Sequence, residues 1–316
     1  MLNILITTKP EIATSLYFII GFFLTLLSIH LFQKYLPRDI GREDAYNSEV
    51  SKGKPRGAGI IFMTSFCIIS ILLVKLEWNY IVYLLLAFIS MLTGYLDDKA
   101  TISWGRLKKG LLDSLIAAIA SIVFIITNPD YIGTYFLGTF IHLNVLIYFI
   151  CSVSLIWLSI NVTNCSDGVD GLSGSISIIT LLTIAFCFKG SNLYLIMILV
   201  STITAYLMYN VSPSRLMMGD AGSRSIGFII AVLVLQTYNP ILFILIAFML
   251  LLNGGLGLIK IILIKLGKKN ALKNIRTPVH DHVRSKWNWS DNQVVFRFSV
   301  FQLLASLLVV IIVSFY

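Results

Sequence analysis

Charge is what this chain has least of. Only 12% of its 316 residues are Asp, Glu, Lys or Arg, about half the share usual in a soluble domain. That shortage excludes an ordinary soluble enzyme, a disordered chain and a nucleic-acid-binding module. Cysteine is sparse as well. Cys67, Cys151, Cys165 and Cys187 form no CxxC pair and fall in or beside apolar runs. They read as small buried hydrophobes, not as disulfides or metal ligands. No cleavable signal peptide follows from the first apolar run, which is long and lacks a small-residue cleavage pattern; it reads as a retained span.

What the chain has instead is apolar length. It is 57% hydrophobic, with a mean hydropathy of +0.88. The apolar residues fall into ten continuous runs, near 12–33, 57–75, 78–96, 111–127, 142–160, 171–188, 192–209, 225–238, 241–264 and 293–315. A bilayer-crossing helix needs about 20 such residues. Continuous rather than alternating hydrophobicity reads as helix, and lipid accepts only helices or closed barrels. The expected fold is therefore all-α, a polytopic membrane protein of about ten helices in a single domain covering 1–316.

The formal charge of +9 is a topology signal. The segments 34–56, 97–110, 161–170, 210–224 and 265–292, with Arg297, hold 20 of the 24 Lys and Arg residues. Lys9, Lys75 and Lys189 fall on the opposite side, and Lys260 lies within the ninth run. Basic residues mark the cytoplasmic side, so both termini are expected outside and the basic segments inside. Asp39, Glu43, Asp44, Glu49, Asp97, Asp98, Asp167, Asp170, Asp220, Asp281 and Asp291 share that inner side. Chemistry is expected there, because acids near membrane depth are expensive and usually functional.

Five polar stretches carry the candidates. Gly94 to Lys99 ends in the pair Asp97-Asp98, suited to hold Mg²⁺ or to take a proton beside a phosphate. Asn161 to Gly174 packs Asn161, Asn164, Asp167 and Asp170 between two spans with no Lys or Arg. Its Asp-Gly pairs permit tight turns, and a helix start offers N–H groups to an anion. Met218 to Phe228 places Asp220 before a small-residue helix start, as metal ligand or as N-cap, with Arg224 as a phosphate contact. Arg276 to Arg284 holds His280 and His282, too few ligands for zinc and better suited to phosphate and sugar. His30 and His142 read as structural. Ser51 to Gly59, with Lys52, is either a phosphate-cradling loop or a positive-inside anchor.

Together these stretches resemble the polyprenyl-phosphate phospho-sugar transferases of glycosyltransferase 4 type, from about Lys52 to the C-terminus. Asn161 to Gly171 is similar to the signature N-x-x-N-x-x-D-G-x-D-G, and Met218 to Gly227 to G-D-x-G-S-x-x-x-G. Thr277 to His282, followed by Trp287 to Ser290, is similar to the family's histidine loop. The resemblance is nearest the branch that works in peptidoglycan synthesis. It implies transfer of a UDP-linked amino-sugar 1-phosphate, phospho-N-acetylmuramoyl-pentapeptide, to undecaprenyl phosphate in the bacterial plasma membrane, with release of UMP. Mg²⁺ is the implied cofactor. Asp220 and Asp98 are its implied ligands, and Asp97 is implied as base or lipid-phosphate contact. The sequence leaves one-step transfer and an aspartate-linked intermediate both open. Asn164, Asp167 and Asp170 are implied to hold the nucleotide sugar, His280 and His282 the diphosphate or sugar, and Lys52 the phosphates. A homodimer is a further expectation.

The chain departs from the family pattern at three places. Three consecutive histidines followed by Phe-Glu are replaced by His280-Asp281-His282-Val283-Arg284, an aromatic by Met217, and a glutamine by Lys260. These changes leave open a second donor, UDP-N-acetylglucosamine or a relative feeding teichoic acid or another surface glycan. A secondary transporter fits worse, since transporters place their acids at the midplane of interrupted repeats.

Overall fold

The computed structural model describes residues 10–39, 41, 51–136, 138–188, 192–268, 270 and 272–315. Lys9, Arg42, Glu43, Asp44, Glu49, Lys189 and Lys269, used in the charge sorting, lie outside the described residues. Each of the ten apolar runs contains helix. In chain order the elements are α1 (Pro10–Phe32), α2 (Gly59–Leu73), α3 (Trp78–Lys99), α4 (Arg106–Thr127), α5 (Val145–Ser166), α6 (Leu172–Cys187), α7 (Asn192–Asn210) and α8 (Gly219–Leu235). A broken helix follows as α9 (Phe243–Ile246), α10 (Phe248–Leu250), a π turn (Leu251–Gly255) and α11 (Leu256–Lys265); α12 (Val279–Trp287) and α13 (Asp291–Val313) complete the chain. Among the described residues, seven helical segments are long and apolar enough to cross a membrane, with α2 and α6 shorter.

The expectation of an all-helical chain needs one correction. Between α4 and α5 an antiparallel hairpin pairs β1 (Gly133–Phe136) with β2 (Thr139–His142). Aromatic and β-branched residues fit a pleated surface, and Tyr135 stands over Phe140 across the strands at 5.0 Å. His142 is exposed at the end of β2.

The bundle is built around α8. Every residue of α8 except Ile229 is buried, and it packs against α2, α3 and α5. Lipid gives helices no hydrophobic reason to associate, so small residues and hydroxyl bonds do that work. A Cβ on Gly227 would lie 2.6 Å from the Ser159 carbonyl, and one on Gly59 only 2.0 Å from the Gly222 nitrogen. Ser159 Oγ donates to Gly227 O at 2.6 Å and Ser225 Oγ to Ala87 O at 2.8 Å. Large aliphatic side chains such as Leu304, Leu307 and Ile311 face outward, as a lipid-facing surface requires.

The break before α10 is stapled by Gln302 of α13. Its Oε1 accepts from Met249 N at 2.9 Å and its Nε2 donates to Ile246 O at 2.9 Å. Backbone groups freed at membrane depth need such partners.

Candidate active site

An acidic cluster is assembled where α3 ends and α4 and α8 begin. The Asp98 carboxylate is wholly buried and acts as the cap of α8. Its Oδ1 accepts from Asp220 N and its Oδ2 from Ala221 N, both at 3.1 Å. Those amides are among the donors that every helix start leaves unpaired. Gly219 makes the approach possible: its φ is +71°, and a Cβ there would sit 2.3 Å from Asp98 Oδ2.

Arg56 ties three carboxylates together. Its Nε donates to Asp98 Oδ1 at 2.9 Å, NH1 to Asp39 Oδ1 at 3.2 Å, and NH2 lies 3.5 Å from Asp220 Oδ1. Burial alone would lower the pKa of its guanidinium; Asp98, Asp220 and Asp39 outweigh that and hold it raised. Lys109 faces the same carboxylates from α4. Its Nζ pairs with Asp97 Oδ2 and, at 2.9 Å, with Asp220 Oδ2. Asp97 Oδ1 also accepts from Trp104 N at 2.6 Å. Asp97, Asp98 and Asp220 thus converge.

The asparagine–aspartate stretch is not the loop its composition implies. Helix α5 runs on to Ser166, so Asn161 and Asn164 occupy its last turns. Asp167 then lies beside the α8 start. Burial pushes its carboxyl well above the usual range; Asp98 and Asp220 add to the rise, while Arg56 and the Gly219 amide oppose it. Asp170 turns outward to the loop before α8, where Oδ2 accepts from Ser214 N at 3.0 Å and faces Lys54 Nζ at 3.6 Å. Lys52 is exposed and makes no ion pair among the described residues; Lys54 and Arg56 of the same stretch are the ones that face carboxylates.

The two histidines separate. On helix α12, positions i and i+2 do not share a face. His280 is buried, with its backbone N and Nδ1 both directed at Asn253 Oδ1 of the π turn, at 3.0 and 3.1 Å. An amide oxygen only accepts, so the ring proton lies on Nδ1. Nε2 is left over Gly168, where a Cβ would meet it at 2.3 Å. His282 instead accepts from Arg276 N at 3.2 Å and lines a separate cavity.

Several residues escaped the sequence reading. Arg56 and Lys109 are hidden among basic residues that also orient the chain. Asn253 lies inside an apolar run, its Nδ2 buried and unpaired. Arg224 is corrected: it does not reach the cluster but is buried against Asp113 of α4, NH2 to Oδ1 at 2.5 Å. An acid within the fourth run was the available signal, since a lone charge at that depth needs a partner.

The donors present fit a hard divalent cation. Asp39, Asp97, Asp98, Asp167 and Asp220 crowd one end of the bundle and share two cations, Arg56 and Lys109. Among the described residues no three metal-ligating side chains gather tightly enough to cage an ion. Mg²⁺ does not need such a cage, because it takes one or two carboxylates with phosphate oxygens and water. Asp220 suits that role. Asp98 suits it less, since helix amides and Arg56 already use its oxygens.

Spanning-length helices around a buried cluster of carboxylates and two cations point to a membrane-embedded enzyme. The profile of glycosyl transferase family 4 matches residues 80–238, which include the α3 carboxylates, the asparagine–aspartate stretch and α8. The phospho-N-acetylmuramoyl-pentapeptide-transferase of Treponema pallidum (strain Nichols) is 37% identical over 89% of this chain and 84% of its own. The enzyme of the same name from Thermoanaerobacter sp. (strain X514) is 32% identical over 92% of this chain and 95% of its own. That of Petrotoga mobilis is 29% identical over 92% and 93%. The chain belongs to glycosyl transferase family 4. It is a phosphosugar transferase and a multi-pass bacterial membrane protein.

Proposed function

We infer that this enzyme transfers phospho-N-acetylmuramoyl-pentapeptide from its UDP carrier to undecaprenyl phosphate. An oxygen of the acceptor phosphate bonds to the sugar-bearing phosphorus, the bond to the UMP phosphate breaks, and UMP leaves. The observation that carries this reading is the convergence of Asp97, Asp98 and Asp220 on Arg56 and Lys109, in a chain similar along most of its length to enzymes named for that donor. Bringing two phosphates together makes charge neutralisation and positioning the main demands. Arg56 and Lys109 neutralise and orient. Asp97, beside Lys109, is placed to keep a proton off the attacking phosphate. Asp98 fixes the α8 start, and Asp220 is the ligand for Mg²⁺, which when bound neutralises the donor diphosphate. Asn164, Asp167 and His280 face the donor side. Asp170 and Lys54 brace the loop before α8, and Lys52 is left to long-range attraction.

In this reading all ten apolar runs lie in the membrane, the termini are outside, and the cleft opens on the cytoplasmic side, where the basic residues gather. A homodimer is compatible with it. The test is UMP release by purified protein given undecaprenyl phosphate, Mg²⁺ and either UDP-N-acetylmuramoyl-pentapeptide or UDP-N-acetylglucosamine. Product from the first donor is expected. Product from the second alone would overturn the donor and make the enzyme an initiator of another surface glycan.

A further inference from the structure

Away from the carboxylate cluster, α11, α12 and the segment between them border an open cavity of about 630 Å³. Four cationic side chains line it, Lys260, Lys273, Arg276 and Lys286, together with His282 and Trp287. No carboxylate is among the lining residues. Asp281, the acid of α12, is instead drawn to Arg276 and Arg284, at 3.7 Å from each.

The walls are held. Lys260 Nζ donates to Ile275 O at 2.6 Å, tying α11 to the connecting segment. Because His282 Nδ1 accepts from Arg276 N, its ring proton lies on Nε2 and is a donor. Trp287 stands edge-on to that ring at 6.0 Å and supplies an apolar side. Basic residues that only anchor a helix spread into water and headgroups. Here they border one space of ligand size, and Lys260, Lys273 and Lys286 make no ion pair with a carboxylate among the described residues.

Helix α12 joins this cavity to the cleft. His280 reaches Gly168, next to Asp167, and His282, two residues on, faces the cavity. The two spaces are separated by one helix, about 10 Å across. A five-residue peptide, extended, spans about 17 Å.

We propose that this cavity is the subsite for the acidic end of the donor's peptide, and that its cations recognise peptide carboxylate. This rests on the donor assigned above. The peptide starts on the sugar held in the cleft, passes α12 and ends with its carboxylate among Lys260, Lys273 and Lys286.

The test is direct binding to the full-length protein in detergent, comparing UDP-N-acetylmuramoyl-pentapeptide with UDP-N-acetylmuramic acid lacking the peptide. Kd for both is measured on the unaltered protein and on the K260Q/K273Q/K286Q variant, with the Kd for undecaprenyl phosphate as a third arm. The variant should bind the pentapeptide donor at least tenfold more weakly, with the peptide-free donor and the lipid unchanged. Equal losses for both donors, or no loss for either, overturn the subsite. A loss confined to the lipid overturns it in favour of a phosphate headgroup site. If the unaltered protein fails to bind the pentapeptide donor, the assigned donor falls and the subsite with it, a result distinct from the others.

Discussion

Asp98 and Asp220 lie in one cluster but answer to different chemistry. Asp98 spends its oxygens on two helix amides and Arg56, so Asp98→Ala strands buried donors. A loss of about 1–3 kcal/mol is expected for such a deletion, seen as a lowered thermal midpoint together with lost activity. The Asp220 carboxylate pairs with Arg56 and Lys109, whereas the two helix amides are capped by Asp98. Asp220→Asn should abolish Mg²⁺-dependent UMP release with the midpoint nearly unchanged; normal turnover in that variant would remove Asp220 as metal ligand. His280 provides a pH test. Burial first, and Arg284 second, hold its imidazole down to about 3 against an ordinary 6.5. The unfolded chain takes up a proton near pH 6.5 that the folded chain refuses. Stability is therefore full above pH 6.5 and falls as pH drops toward 3. The thermal midpoint should decline from about pH 7 to about pH 5, and His280→Gln should flatten that decline.

Helices were legible at the scale of elements because their apolar runs are long; their ends were not. The polar tail of α5 stays helical because its side chains bond back one turn, Asn161 Nδ2 to Trp157 O and Ser166 Oγ to Val162 O, each at 2.8 Å, an option open to such residues at a helix end. The hairpin escaped notice because four-residue strands leave little pattern. The acid positions were legible as motifs, whereas their cations were not, since Arg56 and Lys109 look like any positive-inside residue. Nor does sequence reveal that Asn253 orients His280. The close packing of α3 on α8 gives a test at this scale. A Cβ on Gly94 would meet Asp220 O at 2.4 Å. Gly94→Ala should displace the α8 start and cost about a hundredfold in turnover, as misplacements near 1 Å do, while the protein still reaches the membrane.

For the whole molecule, orientation is the property most open to experiment. A cysteine placed at Thr139 in the hairpin should react with a membrane-impermeant maleimide on intact cells. One placed at Lys286 should react only after permeabilisation, and the reverse pattern would overturn the assignment of sides. The bundle is also uneven in height. Helices α2, α6 and α8, which start around the cluster of acidic and basic side chains, have 15, 16 and 17 residues, against 23 in α13. At about 1.5 Å per residue they fall roughly 10 Å short of the longest. Of these, α2 and α6 turn Ile68, Ile71, Leu72 and Phe186 outward, so a bilayer fitted to α13 meets shorter helices there, a mismatch that local thinning would relieve. In the proposed orientation such thinning would form a dimple beside the acidic cluster, and a lipid carrying its phosphate at the surface would be lowered toward the aspartates by the shape of the membrane itself.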